Sequence, residues 1–282
     1  MTGPRRVDAH HHFWDPAAAD YPWLTDALAR IRRAFGPDDL EPELEAADIE
    51  ATVLVQTRSS VDETRDFLRL AQVTPFIGGV IGWVDLTTPG VAETIADLRS
   101  GPGGDRLVGI RHQVHDERDP EWLLRDDVVD GIRAVGSAGL AYDLLIRPRE
   151  LPAAHALARR LPDVRFVIDH LAKPPIEIGD GERWREGIAA FAELDHVACK
   201  VSGLVTEASW SSWTPADLRP YVDHAITVFG PRRLVFGSDW PVCLLAATYA
   251  KVVDAARTTL DGLTPAEQVA VFGENAIRIY RL

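Results

Sequence analysis

Short apolar runs alternate with amphipathic stretches along this chain. The runs fall at 6–11, 51–57, 76–84, 106–113, 140–146, 164–170, 196–203 and 233–239. They are rich in Val, Ile, Leu and Phe and mostly lack alternation of apolar and polar positions. A strand with one wet face alternates; a strand covered on both faces does not, which is the condition of a parallel sheet under helices. Between the runs, helical periodicity covers 41–47, 61–72, 91–99, 127–138, 152–161, 183–192, 216–229 and a C-terminal set from 247 onward. Thr88-Pro89 and Thr214-Pro215 place a capping residue before proline, a helix-start signal. Thr264 with Glu267 three residues later has capping-box spacing. Gly139 and Gly230 mark stops.

Eight strand-plus-helix units in 282 residues predict a (β/α)8 TIM barrel, a single α/β domain over 1–282. An open doubly wound sheet is the alternative. It would carry a Gly-rich first turn, where this chain has His10-His11-His12-Phe13-Trp14. The segment 13–40 is long for a loop, and Trp14, Tyr21, Trp23 and Phe35 equip it to pack over the barrel mouth.

Catalytic groups of such barrels sit at the C-terminal ends of strands. Residues two apart share a face, so His10 and His12 project together, His11 away, and Asp8 with His10 but deeper. Later strand ends supply Arg111, His112, Gln113 and His115; Tyr142 and Asp143; Asp169, His170 and Lys173; Lys200 and Ser202; and Asp239, expected to face the histidine pair across the barrel. Ionisable groups in apolar strands are expensive without partners or purpose. The alternatives are structural: His170 bonded to Asp169, Arg111 bridged to Asp143, Lys200 in an ion pair. His155, His196 and His224 fall in helical or pre-strand positions and are expected to be non-catalytic.

The formal net charge of −13 argues against nucleic-acid or anionic-membrane partners. The two cysteines, Cys199 and Cys243, form neither a disulfide framework nor a zinc-finger pattern and read as core residues. No apolar stretch reaches transmembrane length and no signal-like segment precedes the first strand, so a cytoplasmic enzyme is expected. A Gly-x-Ser-x-Gly elbow is missing, which counts against a serine nucleophile.

Asp8-Ala9-His10-His11-His12, His170 within Asp169-His170-Leu171-Ala172-Lys173-Pro174, and Asp239 together resemble the amidohydrolase superfamily, whose members are (β/α)8 hydrolases, lactonases and decarboxylases. Gly82-Trp83-Val84-Asp85-Leu86, Gly109-Ile110-Arg111-His112-Gln113, Tyr142-Asp143-Leu144-Leu145, Cys199-Lys200-Val201-Ser202-Gly203-Leu204 and Gly237-Ser238-Asp239-Trp240-Pro241-Val242 resemble its sugar-lactonase branch, the fuconolactonase and rhamnonolactonase group. The resemblance implies a hydrolase that opens an L-fuconolactone-like ring with water activated by Asp239. His10, His12, His170 and Asp239 would be the catalytic set. They could hold one divalent ion, for which three nitrogens and one oxygen suit Zn²⁺. Related lactonases also work without metal, and there the histidines would polarise the carbonyl. Arg111, His112, Tyr142, Asp143 and Lys200 would recognise the substrate, and Trp14, Trp83 and Trp240 would stack on its ring. Binuclear members carry a lysine on strand four and a histidine on strand five; Arg111-His112 and Tyr142-Asp143 stand there instead, so at most one ion is expected. The rival readings are a single-zinc decarboxylase of an aromatic or enoic acid and a non-catalytic barrel that binds sugar acids.

Overall fold

The computed structural model describes residues 6–179 and 181–282. Nearly every strand residue is buried on both faces, the exceptions being His112 and Arg165; this is why the runs do not alternate. The strands are β1 (Val7–His11), β2 (Ala51–Val55), β3 (Ile77–Gly82), β4 (Leu107–His112), β5 (Ala141–Leu144), β6 (Arg165–Ile168), β7 (Val197–Val201) and β8 (Leu234–Phe236). All eight pair in parallel and in chain order. Just beyond β8 the chain returns to β1: the Asp239 amide donates to the His10 carbonyl (2.8 Å) and the His12 amide to that of Trp240 (2.7 Å). The sheet is thus a (β/α)8 barrel, and the open-sheet alternative falls.

Helices cover it: α1 (Pro37–Ala47), α2 (Val61–Val73), α3 (Val91–Ser100), α4 (Asp126–Ser137), α5 (Leu151–Arg160), α6 (Glu182–Ala189), α7 (Leu204–Glu207), α8 (Pro215–Phe229), α9 (Tyr249–Thr259), α10 (Pro265–Val269) and α11 (Asn275–Tyr280). The helix start at Thr214-Pro215 and the capping box at Thr264 form as predicted, and Thr214 forms a capping box with Asp217 as well. Thr88-Pro89 does not start a helix. The Thr88 hydroxyl bonds the Asp85 carbonyl in a turn, and α3 begins at Val91 behind Gly90. Helix α1 starts earlier than its apolar period, with Pro37 at its first position.

The core has two shells. Outside the strands, apolar helix faces pack on outward residues such as Leu54, Ile110, Tyr142 and Phe166. Inside, Val7, Ala9, Val53, Ile81, Val167 and Val235 fill the barrel, joined by Ile279 and Tyr280 of α11.

Candidate active site

The site is built where the barrel closes. In the β1–β2 ladder Asp8 pairs with Thr52 but His11 with Leu54, so β1 holds one extra residue, a bulge. Ala51, Val53 and Val55 point into the barrel, so Thr52 and Leu54 point out, and Asp8 and His11 with them. His10 is turned inward. His11 bonds the Thr52 hydroxyl (2.8 Å), an outward packing role as expected. Asp8 does not share the face of His10, because the bulge reverses the parity. Its carboxylate accepts from the amides of His10 (3.1 Å) and Ser238 (2.8 Å) and from the Tyr249 hydroxyl (3.0 Å), tying β1 to β8 and α9.

The closing hydrogen bonds place Asp239 beside the histidine pair, rather than across the barrel from it. Three imidazoles present Nε2 to Asp239 Oδ1, at 3.8 Å for His10, 3.5 Å for His12 and 3.9 Å for His170. Each has its other nitrogen engaged. His12 Nδ1 donates to the Val55 carbonyl (2.8 Å), which fixes its tautomer and leaves Nε2 with a lone pair when the ring is neutral. His170 Nδ1 bonds the Ser202 hydroxyl (2.8 Å). His10 Nδ1 faces Asp169 Oδ1 at 3.4 Å and Lys200 Nζ at 3.1 Å. Donor atoms of His10, His170 and Asp239 lie within 4.8 Å of one another, and His12 Nε2 is 3.1 Å from His10 Nε2. Unprotonated imidazole nitrogens around a carboxylate are the donor set of a Zn²⁺-type ion, so these residues fit one.

The backbone here is unusual. His170 to Lys173 all have positive φ, and so does Asp239 at 58°. Left-handed conformations cost roughly 1–2 kcal/mol per non-glycine residue and collect at sites whose surroundings over-determine them. Gly203 (φ 64°) lies against this turn; a Cβ on it would sit 2.6 Å from His170 Nδ1 and 3.1 Å from Asp239 Oδ2.

Burial disfavours the charged forms of the histidines. It pushes His170 down to about 4 and, with the Lys200 charge, holds His10 well below the ordinary value. Burial alone would raise the Asp239 carboxyl, but His170 and His12 outweigh it and keep it below the ordinary carboxylate value. At neutral pH the carboxylate is ionised and the His10 and His170 rings are neutral.

Beneath lies a buried charge layer. Arg111 Nη1 donates to Asp169 Oδ2 (3.0 Å) and lies 3.2 Å from His10 Nε2, while Nη2 bonds the Gln56 carbonyl (2.7 Å). Lys200 Nζ is 2.6 Å from Asp143 Oδ2 and 3.0 Å from Asp169 Oδ1. Lys200 and Asp143 have no exposed surface. They pair with each other below the site and are not among the residues that line the cavity. Arg111 is paired too, with Asp169 rather than Asp143, yet one edge reaches the cavity above. Tyr142 points out of the barrel, edge-on to Phe166, because its neighbour Asp143 points in. His112 likewise turns outward from Arg111. It stacks on Trp122 (4.3 Å between centroids), accepts from Trp83 Nε1 (3.0 Å) and pairs with Glu117 (2.8 Å).

The cavity over this floor holds about 380 Å³. On the β8–β1 side its wall is apolar: Trp23, Leu28, Val242 and Leu245. After β4, β5 and β6 it is polar, with Gln113, His115, Arg147 and Lys173. Trp14, Trp83 and Trp240 do not line it. Trp14 and Trp240 are buried against Phe35. The aromatic lining comes from Trp23 and Trp210, whose indole N–H groups are fixed on the carbonyls of Thr57 (3.1 Å) and Thr206 (3.0 Å). The long 13–40 segment was the visible signal for Trp23; Glu207 ends α7 and Trp210 follows it, in a stretch of sequence that itself resembles the lactonase branch, whereas Arg147 sits in a loop with no signal. His155, His196 and His224 lie away from the cavity, against Phe191, the Ala158 carbonyl and the Arg185 carbonyl.

The sequence profile of the amidohydrolase family matches residues 7–282. The chain is 40% identical over 291 residues to an L-fucono-1,5-lactonase of Burkholderia multivorans, covering 99% of this chain and 97% of the relative. It is 41% identical over 283 residues to an L-fucono-1,5-lactonase of Burkholderia ambifaria, covering 98% and 96%. A crystal structure of an amidohydrolase from Burkholderia multivorans with bound zinc superposes with a TM-score of 0.94 at 38% identity, over 99% of both chains. With the barrel, the strand-end histidines and the full-length match in agreement, the chain belongs to the amidohydrolase family.

Proposed function

We propose that this enzyme hydrolyses a sugar lactone, an L-fucono-1,5-lactone-like ring, to the open-chain acid. The observation that carries the chemistry is Asp239 Oδ1 beside three imidazole Nε2 atoms, with Asp239, His12 and His170 lining the cavity and His10 buried next to them. Full-length relatives named as L-fucono-1,5-lactonases support the substrate class.

A lactone is a cyclic ester. Asp239 takes a proton from water, whose oxygen attacks the carbonyl carbon. The ring C–O bond of the tetrahedral adduct then breaks, and the protonated Asp239 returns the proton to the departing ring oxygen. Arg111 lines the cavity and keeps one N–H, Nε, without a protein partner, which makes it our candidate donor to the oxyanion. His12 shows a lone pair at Nε2 and cannot donate there, and burial keeps His10 and His170 uncharged. Their arrangement favours one divalent ion, Zn²⁺ by donor chemistry, held by His10, His170 and Asp239 with His12 beside them. When bound, such an ion polarises the carbonyl or acidifies the attacking water. Trp23 and Trp210 offer the ring its apolar faces, and Gln113 and Lys173 meet its hydroxyls. His112, Tyr142, Asp143, Lys200, Trp14, Trp83 and Trp240 support these groups from behind. The buried, unpaired Cys199 and Cys243 suit a reducing compartment, and we place the enzyme in the cytoplasm. Among the described residues no helix is long and apolar enough to cross a membrane.

A proton-release screen of aldonolactones of both enantiomeric series, with added Zn²⁺ and with chelator, tests the reading. Turnover of L-sugar lactones is the expected result. Release of CO2 from aromatic or enoic acids instead would favour the decarboxylase, and binding of sugar acids with no turnover would favour the non-catalytic barrel.

A further inference from the structure

Tyr280 enters the barrel from the end opposite the cavity. It belongs to α11, packs with Val7 and Val108 inside the strands, and is 1% exposed. Its hydroxyl donates to the Asp143 carboxylate, 3.1 Å from Oδ1 and 3.0 Å from Oδ2. Asp143 Oδ2 holds Lys200 Nζ at 2.6 Å, and the Tyr280 ring lies 5.4 Å from the same ammonium. Lys200 is 3.0 Å from Asp169 Oδ1 and 3.1 Å from His10 Nδ1. A continuous buried chain therefore runs from the C-terminal helix to His10.

Lys200 has three hydrogens and three acceptors in reach: Asp143, Asp169 and His10 Nδ1. Two arrangements compete. If the ammonium donates to His10 Nδ1 (3.1 Å), the ring must carry its proton on Nε2, which then donates to the His12 Nε2 lone pair (3.1 Å) and no longer offers a lone pair toward Asp239 or to an ion. If the ammonium is drawn toward the two carboxylates and away from the ring, His10 Nδ1–H turns to Asp169 Oδ1 (3.4 Å) and Nε2 keeps its lone pair, which accepts from Arg111 Nη1 (3.2 Å). A ring whose second nitrogen is held by a carboxylate is the usual way a protein fixes a ligating histidine. The unusual part is that one of the two carboxylates is itself pinned from the far end of the barrel.

We propose that Tyr280 is a positioning residue for the reaction: by fixing Asp143 it holds Lys200 between two carboxylates, and so keeps His10 in the tautomer that presents an unprotonated Nε2 to the site. The effect on turnover rests on the lactonase reading; the effect on the His10 tautomer does not.

Tyr280→Phe keeps the ring in the barrel and removes only the hydroxyl. Ile279→Val disturbs the same plug without touching the charge layer. Long-range ¹H–¹⁵N spectra of histidine-labelled protein, with His10 assigned by a His10→Asn variant, read the tautomer directly. Steady-state kinetics on the lactone are measured in parallel. Wild type and Ile279→Val should show a single Nδ1–H tautomer at His10, and Tyr280→Phe a mixture. Tyr280→Phe should lose about tenfold in kcat, the low end for removing an outer partner, with KM near wild type. Asp143→Asn should give the same pattern and serves if Tyr280→Phe does not fold. A folded variant with a wild-type His10 spectrum would overturn the proposal, and so would one with altered tautomers and unaltered kcat. If wild type turned over no lactone, the functional reading would fail while the spectra still decided the tautomer.

Discussion

At the scale of single residues, Asp239 is the group whose loss should cost most. Asp239→Asn keeps the shape but removes the proposed base and the proposed anionic ligand. General-base help is worth ~10²–10⁴-fold, so kcat should fall by that order while the circular dichroism spectrum stays native. Retention of most of kcat would send the proton elsewhere. The tryptophans divide by what they touch. Trp23 lines the cavity with its N–H spent on Thr57, so Trp23→Ala should raise KM by roughly tenfold, about 1.4 kcal/mol. Trp83 touches His112 outside the cavity, so Trp83→Phe should leave KM alone. Equal effects from the two would remove Trp23 from the binding wall. Arg111 holds Asp169 and two oxygens of Gln56. Lysine cannot reproduce that fork. Arg111→Lys should therefore lower stability by about 1.5–3 kcal/mol, the worth of a hydrogen bond to a charged group, as well as kcat. A variant impaired in kcat at wild-type melting temperature would make Arg111 a substrate contact alone.

Elements set how accurately these groups meet. The turn after β6 is left-handed over four residues, and Gly203 after β7 supports it with no room for a side chain. Gly203→Ala should strain the backbone and displace His170, lowering kcat more than its loss of stability accounts for. Gly262, with open space around it, is the control. At the start of α8, Asp217 accepts from the Thr214 amide (2.7 Å) and hydroxyl (2.8 Å). The amide bond, then the hydroxyl, holds its carboxyl below the usual value of 3.8. The folded form thus favours the ionised cap. Its contribution is complete above that value and is lost as pH falls through the folded one. The melting temperature of Asp217→Asn should lie below wild type at neutral pH and converge with it in acid. A gap that persisted at low pH would mean the cap does not act through its charge.

For the whole molecule, the charge layer decides how many ions the barrel can hold. Arg111 from β4 and Lys200 from β7 occupy inward positions beside His10. A second divalent ion there would face two cations and find no free carboxylate. Metal analysis of active protein should give at most one equivalent of Zn²⁺. Since a ligand that binds only the folded state raises its stability, chelation should lower the melting temperature if the ion is resident. Two tightly bound equivalents would show that the layer rearranges.

Much of this was readable along the chain. Continuous apolar runs mean strands covered on both faces, and ionisable residues ending those runs mean a lined barrel mouth; both follow from burial, which local sequence records. Parity also separates Tyr142 from Asp143, since neighbours in a strand cannot share a face. What sequence could not show depends on atoms brought together from distant segments. Nothing in Asp8-Ala9-His10 marks the bulge, because it exists only in pairing with β2. The position of Asp239 beside the histidines comes from closure of β8 on β1. The partners of Lys200, the tautomer of His12 and the choice of Trp23 and Trp210 over Trp14 and Trp240 were likewise settled by folding. A charge or a ring in a strand has a side fixed by period two, but its partner is whatever the closed barrel places within reach.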